Sequence, residues 1–216
     1  MRRPDAPRPE IIGDDSGPTK PFPLRMGGQV VQGFGRGSKE LGIPTANLPV
    51  DTAPWIASAD SGVYFGWSSI QLPPDHPSLS PSGPEISSTT FPTTVPYPSA
   101  AVQVPPAKQK EGWRIYPMVM SIGFNPFYGN TVRSAEVHVM HGFGRDFYGC
   151  EMRVVVLGYI RPEYDYESLG KLVEDIGCDI EVTGRSLGRE RWGNREAGVD
   201  GWLWGEEEEG RGESVL

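Results

Sequence analysis

A chain of 216 residues has room for one domain of ordinary size with a real hydrophobic core, plus loosely held segments. Its 28 glycines and 22 prolines favour loops and short strands over long helices. A formal net charge of −8 argues against a nucleic-acid-binding surface, and much of that charge sits in the run Glu206 to Glu209, read as a solvated tail.

Two cysteines, Cys150 and Cys178, are too few for a disulfide framework and fit a reducing compartment. Three histidines (His76, His138, His141) without close cysteine pairs argue against a structural zinc site. No apolar run is long enough for a membrane-spanning helix, and Met1 to Asp5 is not followed by a signal-peptide apolar region. The expected location is the cytoplasm, with mitochondrial association left open.

Residues 1–25 are rich in proline, glycine and charge without periodicity and are read as a mobile extension. Gln29 to Phe34 is expected to be a short strand feeding the stretch Gly33-Phe-Gly-Arg-Gly-Ser-Lys-Glu-Leu-Gly-Ile-Pro-Thr-Ala-Asn47. Its alternating glycines allow turns and close backbone approach, and successive amides in such a loop form an anion-binding concavity. Ser38 and Lys39 place a hydroxyl and an ammonium beside Gly33 and Gly35, which is phosphate chemistry; the alternative for Lys39 is a solvated charge. The Walker spacing is absent. Pro44 pushes Ile43 toward an extended conformation, and an extended chain points Thr45 and Asn47 to one side. A hydroxyl and an amide oxygen together suit a hard cation such as Mg²⁺, whereas the plain alternative is a capped turn.

Asp51 to Asp60 reads as a surface connection anchored by Trp55, and Gly62 to Ile70 as a strand. Residues 71–110 are dominated by Pro, Ser and Thr and are read as a long disordered-type insertion between neighbouring strands, with Ala100 to Val104 the one strand-like piece. Removing about residues 72–108 is expected to leave activity largely intact. Further strands are expected at Tyr116 to Phe124, Ser134 to Met140 and Met152 to Ile160. In the second of these, Ala135, Val137 and Val139 face one way and Glu136 and His138 the other. The run Val154 to Leu157 suggests burial on both faces. One helix is expected, with Asp165 as N-cap, Leu169, Leu172, Val173 and Ile176 as apolar face, and Gly177 as stop, packed against the sheet as a plug. Residues 184–216 form a Gly/Glu-rich tail, leaving 26–183 as the domain. Short strands with glycine-rich turns argue for a mainly β protein built as an antiparallel barrel.

The stretch from Gly33 to Asn47 closely resembles the nucleotide-binding signature of riboflavin kinases. Gly62-Val-Tyr-Phe-Gly-Trp67, Ser121-Ile-Gly-Phe-Asn-Pro126, Glu136-Val-His-Val-Met-His141 and Asp146-Phe-Tyr-Gly149 look like later blocks of the same family, in the same order. The resemblance implies a small closed six-stranded Greek-key barrel with a C-terminal helix, acting as a monomer without nucleic-acid or membrane partners. It also implies transfer of the γ-phosphoryl group of ATP to the 5′-hydroxyl of riboflavin, giving FMN and ADP.

Residue by residue, it makes Glu136 the catalytic base. Thr45 and Asn47 become the ligands of Mg²⁺, with Zn²⁺ the alternative ion. Gly33, Gly35, Ser38, Lys39, His141 and Phe147 become nucleotide contacts, and Asn125 and Arg133 border the loop that closes over flavin. Periodicity alone would leave Glu136 a solvent-facing strand residue, Phe147 or Tyr148 barrel-closing aromatics, and Arg133 a surface charge. The rival from another class is a flavin-binding β-barrel without catalysis. A passive carrier, however, has no need of Lys39, Thr45, Asn47 and Glu136 together. A bifunctional kinase and adenylyltransferase would need a further nucleotide-binding domain, for which the chain has no pattern.

Overall fold

The computed structural model describes residue 4 and residues 7–32, 43–79, 106–124, 132–193 and 200–206. Six strands carry the architecture: β1 (Leu24–Gln29), β2 (Ala46–Leu48), β3 (Gly62–Gln71), β4 (Trp113–Phe124), β5 (Arg133–Val139) and β6 (Glu151–Pro162). They form one antiparallel sheet in the order β1-β6-β3-β4-β5-β2. The edges β1 and β2 approach at an antiparallel bridge between Val31 and Asn47. Among the described residues the sheet is thus a curled half-barrel, and its pairing stops short of the closed barrel expected from the sequence.

The sheet buries both faces. On the enclosed face Met26, Tyr64, Met118, Met120, Val137, Val154 and Val156 form one core. On the other face Phe65, Trp67, Val155 and Leu157 form a second core with Ile180, Leu187, Trp192 and Leu203. This division matches the expected two-sided burial of Val154 to Leu157 and extends it to β3, where every residue from Gly62 to Ile70 is buried. Gly66 is required here, because a Cβ would lie 1.9 Å from the Val155 carbonyl oxygen beside a register shift between β3 and β6.

Helix α1 (Pro106–Lys110) leads into β4, α2 (Leu169–Leu187) packs on the second core, and α3 (Asp200–Trp204) follows. Helix α2 differs from expectation in three respects. Its N-cap is Ser168, whose Oγ accepts from the Lys171 amide, rather than Asp165. It runs ten residues past Gly177, because burial of Ile180, Val182 and Leu187 outweighs the roughly 1 kcal/mol that an interior glycine costs. Its buried side includes Asp175 and Asp179, while Leu169 is 63% exposed, and it covers the outside of the sheet instead of plugging it.

Those aspartates are buried because cations meet them. Arg161 donates from Nε and Nη2 to Asp179 at 3.0 and 2.7 Å, Arg8 pairs with both aspartates, and Tyr166 donates to Asp175 at 2.9 Å. The N-terminal residues read as a mobile extension are therefore docked from Arg8 onward. The Ile12 amide donates to Ser186 Oγ at 3.0 Å, and Trp192 Nε1 donates to the Asp14 carbonyl at 2.9 Å. Beyond residue 184, Trp192, Leu203 and Trp204 are buried, and Trp202 Nε1 donates to the Val154 carbonyl at 3.2 Å.

The first strand lies earlier than Gln29 to Phe34, because Leu24 to Gln29 is the stretch whose register places Met26 in the core opposite Val154. Both ends of the 71–110 insertion are ordered: Leu72 is 1% exposed and its amide donates to the Gly112 carbonyl at 3.0 Å. The strand-like piece Ala100 to Val104 lies outside the described residues.

Candidate active site

Three short strands set the row of side chains that matters. In the register of the sheet, Asn47 of β2 and Ser121 of β4 both lie opposite Glu136 of β5. Because Ala135, Val137 and Val139 are buried and Glu136 and His138 only partly so, alternation turns Glu136 away from the apolar core. Ala46 and Leu48 do the same for Asn47, and Thr45, two residues back, falls on its side. The Thr45 hydroxyl approaches Glu136 Oε2 at 3.5 Å. Thr45, Asn47 and Glu136, three of the residues singled out in the sequence, are thus brought together.

His138 secures this arrangement from the same face. Its Nδ1–H donates to the Pro44 carbonyl at 2.9 Å, pinning the residue that precedes Thr45. Burial holds the imidazole below its ordinary pKa, with the Pro44 hydrogen bond pulling the other way. The ring is therefore a neutral donor at physiological pH.

A second carboxylate reaches this face, and the sequence reading missed it. Glu163, just past β6, lies over Gly123, where a Cβ would fall 2.3 Å from Glu163 Oε1, so a side chain at 123 would displace the carboxylate. Gly123 shares a strand face with Ser121, which places Glu163 beside Glu136. Burial raises the Glu163 pKa; Arg161 and Arg133 oppose the rise and Glu136 adds to it. No periodicity marks Glu163, which follows Pro162 at a strand end.

Arg133 starts β5 on the apolar side of the strand. It donates from Nη1 to the Ile56 and Ala59 carbonyls at 2.9 and 2.6 Å, and its guanidinium lies 4.8 Å from the Phe124 ring centroid. Much of its donor capacity is therefore spent on the turn after the 3₁₀ segment Pro54–Ala57. Asn125, Gly33, Gly35, Ser38 and Lys39 lie outside the described residues.

Past the other end of β5, His141 and Phe147 belong to an aromatic cluster. His141 stacks on Tyr116 at 4.5 Å and meets Phe143 edge-on at 4.7 Å, while Phe143 lies 4.5 Å from Phe147. Burial, with a smaller contribution from His76, lowers the His141 pKa to about 4, and burial raises the Tyr116 hydroxyl to about 12. The loop is tied to the chain entering the glycine-rich stretch: the Gly149 amide donates to the Val30 carbonyl at 2.8 Å, and the Val30 amide to the Cys150 carbonyl at 2.9 Å.

Comparison with known proteins identifies the family. The riboflavin kinase (Flavokinase) family model matches residues 20–187. The chain is 54% identical to the riboflavin kinase of Chaetomium globosum, over 89% of this chain and 83% of that one. It is likewise 54% identical to the riboflavin kinase of Pyricularia oryzae, over 86% of this chain and 81% of that one. Its fold is similar to the crystal structure of riboflavin kinase from Trypanosoma brucei, with a TM-score of 0.54, 25% identity, and coverage of 83% of this chain and 88% of that one. The chain belongs to the riboflavin kinase family.

Proposed function

We infer that this riboflavin kinase transfers the γ-phosphoryl group of ATP to the 5′-hydroxyl of riboflavin with Glu136 as the base that accepts the alcohol proton. The observation that carries the assignment is the convergence of Thr45, Asn47 and Glu136 on one face of β2 and β5. Phosphoryl transfer needs little covalent help from the protein. It needs in-line placement, charge neutralisation and an oriented nucleophile; a carboxylate can orient the alcohol and take its proton, and two neutral oxygen donors beside it can help hold the cation that neutralises the phosphates.

The hydroxyl of Thr45 and the amide oxygen of Asn47 fit a hard divalent cation, since both are oxygen donors and Glu136 adds a carboxylate alongside. They would hold Mg²⁺, which when bound neutralises charge on the phosphates. His138 keeps Pro44, and so Thr45, in place. Gly33, Gly35, Ser38 and Lys39 are assigned to the phosphates, and His141 and Phe147 to the nucleotide base. Asn125 and Arg133 are assigned to the flavin side. The proposed enzyme is a cytoplasmic monomer, and no helix among the described residues is long and apolar enough to cross a membrane. The sheet is proposed to close as a six-stranded Greek-key barrel, a reading supported by the bridge between its edges.

The test is incubation of the purified protein with riboflavin, ATP and Mg²⁺, followed by chromatography for FMN and ADP. Glu136→Gln is expected to fold normally and lose at least about a hundredfold in kcat, the range of a positioned general base. Near-wild-type turnover in that variant removes Glu136 from the role. Flavin retention without FMN formation in the wild type would favour the non-catalytic flavin-binding reading instead.

A further inference from the structure

The insertion after β3 does not simply leave the domain. Its first residues fold back: the His76 amide donates to the Pro73 carbonyl at 2.9 Å, and the Leu79 amide to the His76 carbonyl at 3.0 Å. The His76 side chain is 2% exposed, and both ring nitrogens are engaged. Nδ1 accepts from the Ser78 amide at 3.2 Å, so Nε2 carries the proton and donates to the Arg145 carbonyl at 3.1 Å. One residue earlier, the two oxygens of Asp75 accept from the two Nη groups of Arg145 at 3.0 and 3.1 Å, a forked pair. Arg145 is thus gripped by backbone and side chain together, from residues about seventy positions away.

What is gripped matters, because the loop containing Arg145 is poorly determined by its own sequence. Phe143 sits between Gly142 and Gly144, two residues that leave the backbone free. Contacts rather than backbone preference must place its ring. Those contacts are His76 edge-on at 6.1 Å, Tyr116 at 5.3 Å, His141 at 4.7 Å and Phe147 at 4.5 Å. The stem of the insertion therefore ends on the same ring from which His141 and Phe147 take their positions.

We propose that Asp75 and His76 are positioning residues of the nucleotide site: by holding Arg145 they fix Phe143, and through it His141 and Phe147. The insertion's stem is on this view part of the enzyme's substrate-binding apparatus, while the remainder of the insertion is not required for it. The inference rests on the proposed assignment of His141 and Phe147 to the nucleotide base.

Steady-state kinetics with ATP and riboflavin varied separately test it, using His76→Leu, its conservative counterpart His76→Gln, and Arg145→Ala. His76→Leu is expected to raise KM for ATP about tenfold, with kcat and KM for riboflavin within about twofold of wild type. His76→Gln keeps a donor for the Arg145 carbonyl and is expected to recover most of the loss. Arg145→Ala, at an exposed side chain, is expected to raise KM for ATP about threefold and serves as the deciding variant if His76→Leu does not fold. Unchanged KM for ATP in the folded variants overturns the proposal, as does a loss that falls equally on both substrates. His141→Ala and Phe147→Ala separate the two levels of argument. If they leave KM for ATP unchanged, the assignment of the loop to the nucleotide fails; if they raise it while His76→Leu and Arg145→Ala do not, the brace alone is refuted.

Discussion

His141→Phe isolates what a half-buried, neutral imidazole contributes to this fold. Burial first, and the neighbouring His76 second, lower the pKa of His141 from 6.5 to about 4. The unfolded chain therefore takes up the proton before the folded one does, so folding stability falls as pH drops below 6.5 and levels off below about 4. Linkage makes the loss about 2 kcal/mol between pH 7 and pH 5, and about 3 kcal/mol by pH 4. Phenylalanine retains a ring that can stack on Tyr116 and meet Phe143, but it has no proton to gain.

Urea unfolding of both proteins at pH 7 and pH 5 gives the comparison directly. The wild type should lose about 2 kcal/mol more than His141→Phe over that interval, whatever other groups titrate in both proteins. His138, which is also lowered by burial, remains in the variant and cancels in the difference. Parallel losses in the two proteins would mean that the imidazole is solvated and that the stacked cluster of Tyr116, His141 and Phe143 does not hold in solution. The measurement does not depend on turnover, so it stands even if His141 variants bind ATP poorly.

Other expectations follow from the same geometry. Asp179→Ala leaves Arg161, 5% exposed, without its main anion and should cost about 3 to 5 kcal/mol in denaturant unfolding; a loss below about 1 kcal/mol would show that Asp175 suffices as partner. Glu163 has its folded pKa raised above 4.5, so the folded state resists losing that proton and the carboxylate costs stability once pH passes 4.5. Glu163→Gln is accordingly expected to melt higher than the wild type at pH 7 and to match it near pH 4, and a lower melting point at pH 7 would contradict this. Replacing residues 80–105 by a short Gly/Ser linker should leave folding and kcat nearly unchanged, because loop length enters stability only logarithmically. Removal of residues 72–108 should instead destabilise the protein, since it takes out Leu72 and His76, both buried; melting curves of the two deletions decide between them.

The physics that made parts of this molecule readable also explains where reading stopped. Glu136 and Asn47 each stand between buried apolar neighbours on short strands, so a period of two assigns their facing from local sequence alone. Their pairing across β2 and β5 is a matter of register, which no local pattern carries, and the order β1-β6-β3-β4-β5-β2 is equally invisible to periodicity. The error at Gly177 is of another kind. Propensity argued for a stop, but the buried side of α2 continues through Asp179, Ile180, Thr183 and Leu187, and tertiary packing prevailed.

Asp175, Asp179 and His76 share one reason for going unmarked in the sequence. Each is a polar residue, and each is buried because a partner arrives from elsewhere in the chain: Arg8 and Arg161 for the aspartates, the Arg145 carbonyl for the histidine. Hydropathy treats such residues as solvent-facing, since burying a polar group is unfavourable unless its hydrogen bonds are replaced. The replacement here is long-range, so the signal is absent from any window of sequence and appears only once the chain has folded. Composition set 71–110 apart from the strands around it, yet that very composition hid the few residues of its stem that bind it to the core.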